Sequence, residues 1–385
     1  MMARVPLALR NLTSDWRRLV RSISGIGFGV LLMLLQLGFL NAFLDSAVTL
    51  LDRLDGDIVL IGSTKFRFGV QATFTHRRLH EARGVPGVAA AAPLYAEWSK
   101  SVWKNPQDQR AYKVQVLAFD PDQPVFRLPE LAAPLARLRE RDTVMVDRRW
   151  RDFLGQAPEG TETELGRRRV RVAGTFPLGP DFTSDGTVLT SDRTFMAMFP
   201  TTRNGAAALP DVELAVIRVA PTAEVAAVRR ALRQALPRDV EVLTKAEFIQ
   251  LERRFHAEVS PIGPIFIFGA AAAFVIGSMI AYQILYTDLS DQLPQYATLK
   301  AMGYEDRQLA LVVLRQSALT AVAGFVPAVL LGAVLFHLIG EKTLLPLTMT
   351  PLLLAGLFAL ALLMCLVASL AALRPLRAAQ PGDLF

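Results

Sequence analysis

Two histidines four residues apart, His76 and His80, stand at the spacing that puts two imidazoles on one helical face, an arrangement that can hold zinc. The pattern stops there. No glutamate follows the first histidine as His-Glu-x-x-His requires, and Arg77 and Arg78 would repel a cation, so the segment reads as a basic helix face turned to solvent. Asp181 and Asp185, in GPDFTSDG, could act as paired carboxylates in acid–base chemistry, but Gly179, Pro180 and Gly186 mark a turn built on aspartate side chains. The nearest approach to a phosphate loop, IGSTKF from Ile61 to Phe66, lacks the first glycine and the Lys-Ser/Thr order. The sequence thus offers no catalytic residue, no metal site and no nucleotide site of its own.

The elements that would position any chemistry are mostly apolar. The chain has 385 residues, 52% of them hydrophobic, and a mean hydropathy of +0.33, too apolar for an ordinary soluble protein. Four runs, Ser22–Leu44, Ile262–Tyr286, Ser317–Ile339 and Pro351–Leu373, contain no Asp, Glu, Lys or Arg, although charged residues make up 20% of the chain. A hydrocarbon core of about 30 Å takes roughly 20 helical residues, and one charge placed mid-span costs about 2.5–3.5 kcal/mol. Four transmembrane helices are therefore expected. Arg4, Arg10, Arg17, Arg18 and Arg21 precede the first run and Arg374 and Arg377 follow the last, which predicts both termini in the cytoplasm. A cleaved signal peptide is the rival reading of the first run, but the run is longer than a usual signal core and lacks a clear cleavage site. The net charge of +7 and pI near 9.8 fit anchoring to anionic lipid better than nucleic-acid binding, because much of the excess sits beside the membrane. The single cysteine, Cys365, lies within the fourth run, so no intramolecular disulfide can form.

This divides the chain into a cytoplasmic tail with the first helix (1–44), an extracytoplasmic domain with its stalk (45–261), a second helix (262–286), a cytoplasmic loop (287–310), a third helix (311–339), an external loop (340–350), a fourth helix (351–373) and a cytoplasmic tail (374–385). Strand-like runs Asp57–Ile61, Lys113–Phe119, Thr143–Val146, Arg168–Phe176 and Val212–Val219 predict an α+β extracytoplasmic domain. Within it Thr222–Leu236 carries Val225, Val228, Leu232 and Leu236 at helical spacing with Thr222 as cap, so Val212–Leu243 reads as strand, helix, strand. Lys245–Val259 is patterned as a helix and reaches Pro261 without a flexible linker, a continuity that would carry movement of the spans into the outer domain.

Gly25 and Gly29 stand at G-x-x-x-G spacing in the first run, where they favour close packing against another helix or a second copy. The loop between the second and third runs has Asp288 and Asp291, then Pro294 to start a helix, then QYATLKAMGY. Tyr296, Leu299 and Met302 share a face, with Gly303 at the C-cap position. With only Lys300 as a cation, this helix suits a protein partner better than a lipid surface.

From Tyr282 to Leu309, YQILYTDLSDQLPQYATLKAMGYEDRQL resembles the corresponding stretch of DevC-type permeases of ABC exporters, within the FtsX/MacB/LolC permease superfamily. The resemblance extends to GIGFGVLLMLLQLGF (Gly25–Phe39), WKNPQDQ (Trp103–Gln109), DPDQPVFRLPEL (Asp120–Leu131), GTFPLGPDFTSDGTVLTSD (Gly174–Asp192) and RPLRAAQPGDLF (Arg374–Phe385). It implies a MacB-like type VII exporter permease in the bacterial inner membrane, working as a homodimer with two copies of a separate ABC ATPase that binds ATP and Mg. The implied coupling helix covers Tyr296, Ala297, Thr298, Leu299, Lys300, Ala301, Met302, Gly303 and Tyr304. A periplasmic membrane-fusion adaptor and an outer-membrane channel complete the implied assembly, with a glycolipid or related cargo moved by mechanotransmission. Unlike MacB, the chain has no fused ATPase. An FtsX-like regulator of a periplasmic partner is the alternative, and a hydrolytic outer domain a more distant one.

Overall fold

The computed structural model describes residues 16–127, 134–182, 184–203, 206–208, 211–292, 302 and 305–378. The first helix, α1 (Trp16–Asp52), is longer than its apolar run. Past Leu44 the polar side chains of Ser46 and Thr49 are satisfied within the helix itself, their hydroxyls donating to the carbonyls of Phe43 and Asp45, both at 2.9 Å. There follow β1 (Ile58–Gly62), α2 (His76–Arg83), β2 (Val88–Glu97), β3 (Val102–Lys104), β4 (Ala111–Lys113), β5 (Gln115–Phe119), β6 (Thr143–Asp147), β7 (Glu162–Leu165), β8 (Arg168–Phe176) and β9 (Thr187–Ser191). Next come α3 (Asp192–Met198), β10 (Thr201–Arg203), β11 (Ala206–Ala208), β12 (Leu214–Val219), α4 (Val225–Ala235), β13 (Val240–Thr244) and α5 (Lys245–Arg254). After a π-helical turn, Phe255–Val259, the chain forms α6 (Ile262–Asp291), α7 (Asp306–Thr343) and α8 (Pro351–Ala378).

Two compact units result. One comprises helices: α1 as far as Ala42, α6, α7 as far as Lys342, and α8. Helical segments Leu19–Asp52, Ile262–Asp291, Ala310–Thr343 and Pro351–Leu373 are each long and apolar enough to cross a membrane. Their shared core joins Ile26, Val30 and Met33 of α1 to Ala273 and Ala281 of α6, Ala321 and Ala328 of α7, and Leu357, Ala361, Met364 and Ala368 of α8. The buried α8 positions recur at three- and four-residue intervals, the stripe by which a helix faces its neighbours. Large apolar side chains such as Phe268, Met279, Leu330 and Leu352 point outward instead.

The other unit, Phe43–Pro261 with Thr343–Pro346, is built on a sheet. Among the described residues eleven strands form one sheet in the order β13-β1-β12-β2-β5-β9-β6-β8-β7-β3-β4, and β10 and β11 make a separate hairpin. The first four strands, with α2 between β1 and β2 and α4 between β12 and β13, are two split βαβ units, the ferredoxin-like arrangement. The sequence reading Val212–Leu243 as strand, helix, strand holds locally, but β1 lies between β12 and β13, which only the topology reveals. The helix starts later than expected: its N-cap is Glu224, not Thr222, and no side chain caps it.

All five β1 residues are buried because both faces of the sheet are covered. Alternation sends Ile58 and Leu60 to a cluster with Leu79 of α2 and Val228 and Leu232 of α4, and Val59 and Ile61 to a second cluster with Leu51 of α1, Leu54 just beyond it and Phe248 of α5. The remaining strands form a second lobe around Trp103 and Trp150, whose rings meet at 5.0 Å. Each satisfies its indole N–H internally, on the carbonyls of Leu154 at 3.0 Å and Gly155 at 2.9 Å.

Candidate functional site

The expected ATPase-facing stretch lies largely outside the described residues: Tyr296, Ala297, Thr298, Leu299, Lys300, Ala301, Gly303 and Tyr304 are not among them, and Met302 is, at 65% exposed. The flanking helices are longer than their apolar runs. Asp288 and Asp291 belong to the last turn of α6, and α7 begins at Asp306. Leu289 of α6, Val313 of α7 and Leu373 of α8 pack together close to these ends, so three helices are pinned at the base of the stretch. At about 1.5 Å per residue the 30 residues of α6 span roughly 45 Å, longer than a hydrocarbon core is thick.

Gly25 and Gly29 face α6 within the same chain. A Cβ added at Gly29 would stand 2.8 Å from the Gly277 Cα, and one at Gly25 2.5 Å from Ile284 Cδ1. Gly277 in turn faces Met364 of α8, while Gly27 faces the carbonyl oxygen of Gly324 on α7. Bare backbone is what lets these helices approach, since lipid-exposed helices gain little from hydrophobic burial and depend on contact and packing.

In the sheet unit two helical legs meet at one end. The α1 leg stops at Asp52, and Lys245 at the start of α5 donates its ammonium to the carbonyls of Asp52 and Leu54, each at 2.8 Å, which satisfies acceptors a helix end leaves open. Burial lowers the Lys245 pKa against the opposing pull of nearby carboxylates, Asp52 foremost. Thr244 and Glu247 form a reciprocal capping box at the start of α5, and Arg253 near its end bonds Asp45 of α1 at 2.6 Å. Helical structure covers the expected stretch Lys245–Val259, but it is not one regular α-helix up to Pro261. The α-helix gives way to the π turn, and Ser260 is extended with ψ 136°, as the residue before a proline prefers.

Glu252 and His256, four residues apart, are buried and bonded at 3.1 Å. The other Glu252 oxygen accepts the Phe68 amide at 2.7 Å, and His256 packs edge-on against Phe43 at 5.1 Å. The lysine of the loop that resembles a phosphate cradle, Lys65, is instead buried against Glu213 and donates to Val70 O at 2.6 Å. Burial lowers the Lys65 pKa and raises that of Glu213, each opposed by the other's charge.

His76 and His80 do fall on a helix, α2, but His76 is half-buried with Nε2 3.0 Å from the Tyr95 hydroxyl, so the solvent-facing reading fits His80 alone. Among the described residues no group of three or more metal-ligating side chains converges. Asp181 and Asp185 sit in a turn where Asp181 accepts the Ser184 amide and Asp185 lies 3.7 Å from Arg151. The organiser of that loop is one the sequence did not expose: Asp147, fully buried, accepts amides from Arg149, Leu178 and Gly179 at 2.7–3.0 Å. Burial pushes its pKa up while those three bonds oppose the shift.

A family profile for the MacB-like periplasmic core domain matches residues 20–235, more than half of the chain, and one for the FtsX-like permease C-terminal region matches 266–381. The chain belongs to the FtsX/MacB permease superfamily. Its members are permease subunits of ABC transporters, and the permease is a multi-pass membrane protein with an extracytoplasmic domain between its first and second spans. Parts of it are also similar to solved domains. The periplasmic region of MacB from Actinobacillus actinomycetemcomitans aligns at 9% identity over 51% of the permease and 92% of that structure, with a TM-score of 0.36. The extracellular domain of the ABC-type transporter YknZ from Gram-positive bacteria aligns at 11% identity over 49% and 98%, with a TM-score of 0.33. A domain of a permease protein from Porphyromonas gingivalis aligns at 15% identity over 50% and 88%, with a TM-score of 0.32. Among curated proteins none matches the permease.

Proposed function

We propose that the permease is the membrane lever of an ABC exporter, driven from the cytoplasm by a separate ATPase and felt in the periplasm. Two permeases pair, each docking one ATPase subunit through Tyr296–Tyr304, and ATP with Mg is bound and hydrolysed on those partners. The reading rests above all on the continuity of α1, 37 helical residues that include an apolar span and, at Leu51, a member of the sheet unit's own core. Movement of α1 would be delivered directly to the outer domain, and the ties Lys245–Asp52 and Arg253–Asp45 would make α5 follow. The π turn and extended Ser260 leave the second leg a joint, so one leg pushes and the other bends. The near absence of charge in the spans favours force transmission over a hydrophilic path through the membrane. A membrane-fusion adaptor and an outer-membrane channel would receive the motion, and the cargo would be a glycolipid or similar lipid leaving the inner membrane.

The test is reconstitution with the ATPase subunit and adaptor in inner-membrane lipid. Replacing Leu299 or Met302 with Asp should abolish co-purification of the ATPase and permease-stimulated ATP hydrolysis. Retained association in both variants overturns the docking surface. ATP-dependent activation of a periplasmic hydrolase, without lipid release to the adaptor, would replace the exporter by the regulator.

A further inference from the structure

In the sheet unit the segment between β2 and β12 closes on the ferredoxin-like lobe to leave a cleft of about 950 Å3, large enough for a small amphiphile. One wall is aromatic. Tyr95 stacks on Phe195 at 5.8 Å, and Phe195 meets Phe199 edge-on at 5.1 Å. Burial pushes the Tyr95 hydroxyl pKa well up, so this wall carries no charge.

Beside it lies Glu97, only 6% exposed. Its Oε1 accepts the Ser99 amide and hydroxyl at 2.8 Å and the Lys100 amide at 3.0 Å. Burial favours the neutral acid, but these bonds and the Lys100 charge together outweigh it and hold the pKa below the ordinary value. Oε2 has no partner among the described residues, and no Lys or Arg there forms an ion pair with Glu97. The other deeply buried carboxylates are matched: Glu213 by Lys65, Glu252 by Phe68 N and His256, and Asp147 by three amides. Desolvated acids are ordinarily paired, whereas Glu97, with the Lys100 charge nearby but no ion pair, presents an ionised oxygen to the cleft.

The bases lining the cleft do not pair with it. Lys100 and Arg167 are exposed to solvent, and Lys104 lies 3.6 Å from Glu164. An anionic ligand would find its partners only where water screens them, whereas an ammonium would meet a buried carboxylate beside π faces. We propose that this cleft binds an amphiphilic amine, its ammonium on Glu97 Oε2 and its apolar body against Tyr95, Phe195 and Phe199.

The site needs no ATPase, so the experiment uses the full-length permease alone in lipid nanodiscs. The probe is dansylcadaverine, an ammonium on an aromatic body, followed by energy transfer from tryptophan, with Trp98 adjacent to Glu97 in the chain. Empty nanodiscs give the lipid-partition baseline. Binding should be saturable above that baseline, and about tenfold weaker for the neutral dansyl-pentylamide and the carboxylate dansyl-aminohexanoate. Glu97→Gln keeps an acceptor for Ser99 and Lys100 while removing the charge, and should weaken the cationic probe about tenfold but leave the neutral one unchanged. Phe199→Ala, which leaves the carboxylate in place, should weaken both probes. Equal affinity for neutral and cationic probes, no saturable signal, or wild-type binding in both variants overturns the proposal.

Discussion

Lys65 and Glu213 are 148 residues apart and meet in the interior of the sheet unit. Removing one partner strands the other as an unpaired buried charge, which costs about 3–5 kcal/mol, whereas replacing both by apolar residues can be near neutral. Lys65→Met should therefore lower the unfolding midpoint of the permease sharply, and Lys65→Met with Glu213→Leu should recover most of the loss; differential scanning fluorimetry on the three proteins reads this. Glu97 makes a pH prediction with a definite sign. Its folded pKa lies below the ordinary 4.5, so the carboxylate stabilises the fold fully above that value, and the contribution fades as pH falls through the folded pKa. Wild type should lose more stability than Glu97→Gln on acidification below about 4.5. A parallel decline in the two proteins would refute the assignment. At this scale local sequence is partly deceptive: Lys65 stands in what reads only as an incomplete phosphate loop, while Glu252 and His256 stand at a legible helical spacing whose burial no local pattern discloses.

At the scale of elements, glycine contacts differ in how far they can yield. Gly29 meets the Gly277 backbone, whereas Gly25 meets the end of a flexible isoleucine that can swing aside. Gly29→Ala should destabilise the detergent-solubilised bundle by about 1–3 kcal/mol, and Gly25→Ala and Gly277→Ala, whose nearest neighbours are the flexible side chains of Ile284 and Met364, by less. Thermal unfolding that ranks Gly25→Ala or Gly277→Ala as worse than Gly29→Ala would reject this geometry. Phe248 of α5 is fully buried under the sheet, and Phe248→Ala should cost about 3–5 kcal/mol, read by urea unfolding followed through tryptophan fluorescence. The long helices were legible because twenty apolar residues in succession have few alternatives. The strand-like run Arg168–Phe176 coincides with β8, but β2 has no such signal, since AAAAP within VAAAAPLYAE carries little strand propensity and is fixed by its pairing with β12 and β5. The break at Ser260 was signalled by Pro261; the π turn before it had no sequence signal that we can identify.

For the whole molecule, the division into apolar bundle and α+β unit follows from composition, since one part satisfies its surface with lipid-compatible side chains and the other with charge. The order of eleven strands does not. Chain neighbours β12 and β13 are parted by β1, and β5 pairs with β9 rather than β6, contacts that only tertiary packing selects. If the lever reading holds, stiffening the joint in the second leg should separate ATP hydrolysis from output. Replacing Ser260 and Pro261 by alanines favours continuous helix. The ATPase subunit should still bind and hydrolyse, while lipid delivery to the adaptor falls; unchanged delivery would argue against a role for the joint.

The ferredoxin-like lobe has one more consequence. β1 and β13 pair along their lengths, Ile58 opposite Thr244, and the Lys245 amide bonds the Asp57 carbonyl at 2.9 Å. Incoming and outgoing chain are therefore side by side, so the segment from Phe43 to Pro261 enters and leaves its sheet at one place, the geometry by which a domain is accommodated as an insertion between two helices without parting them.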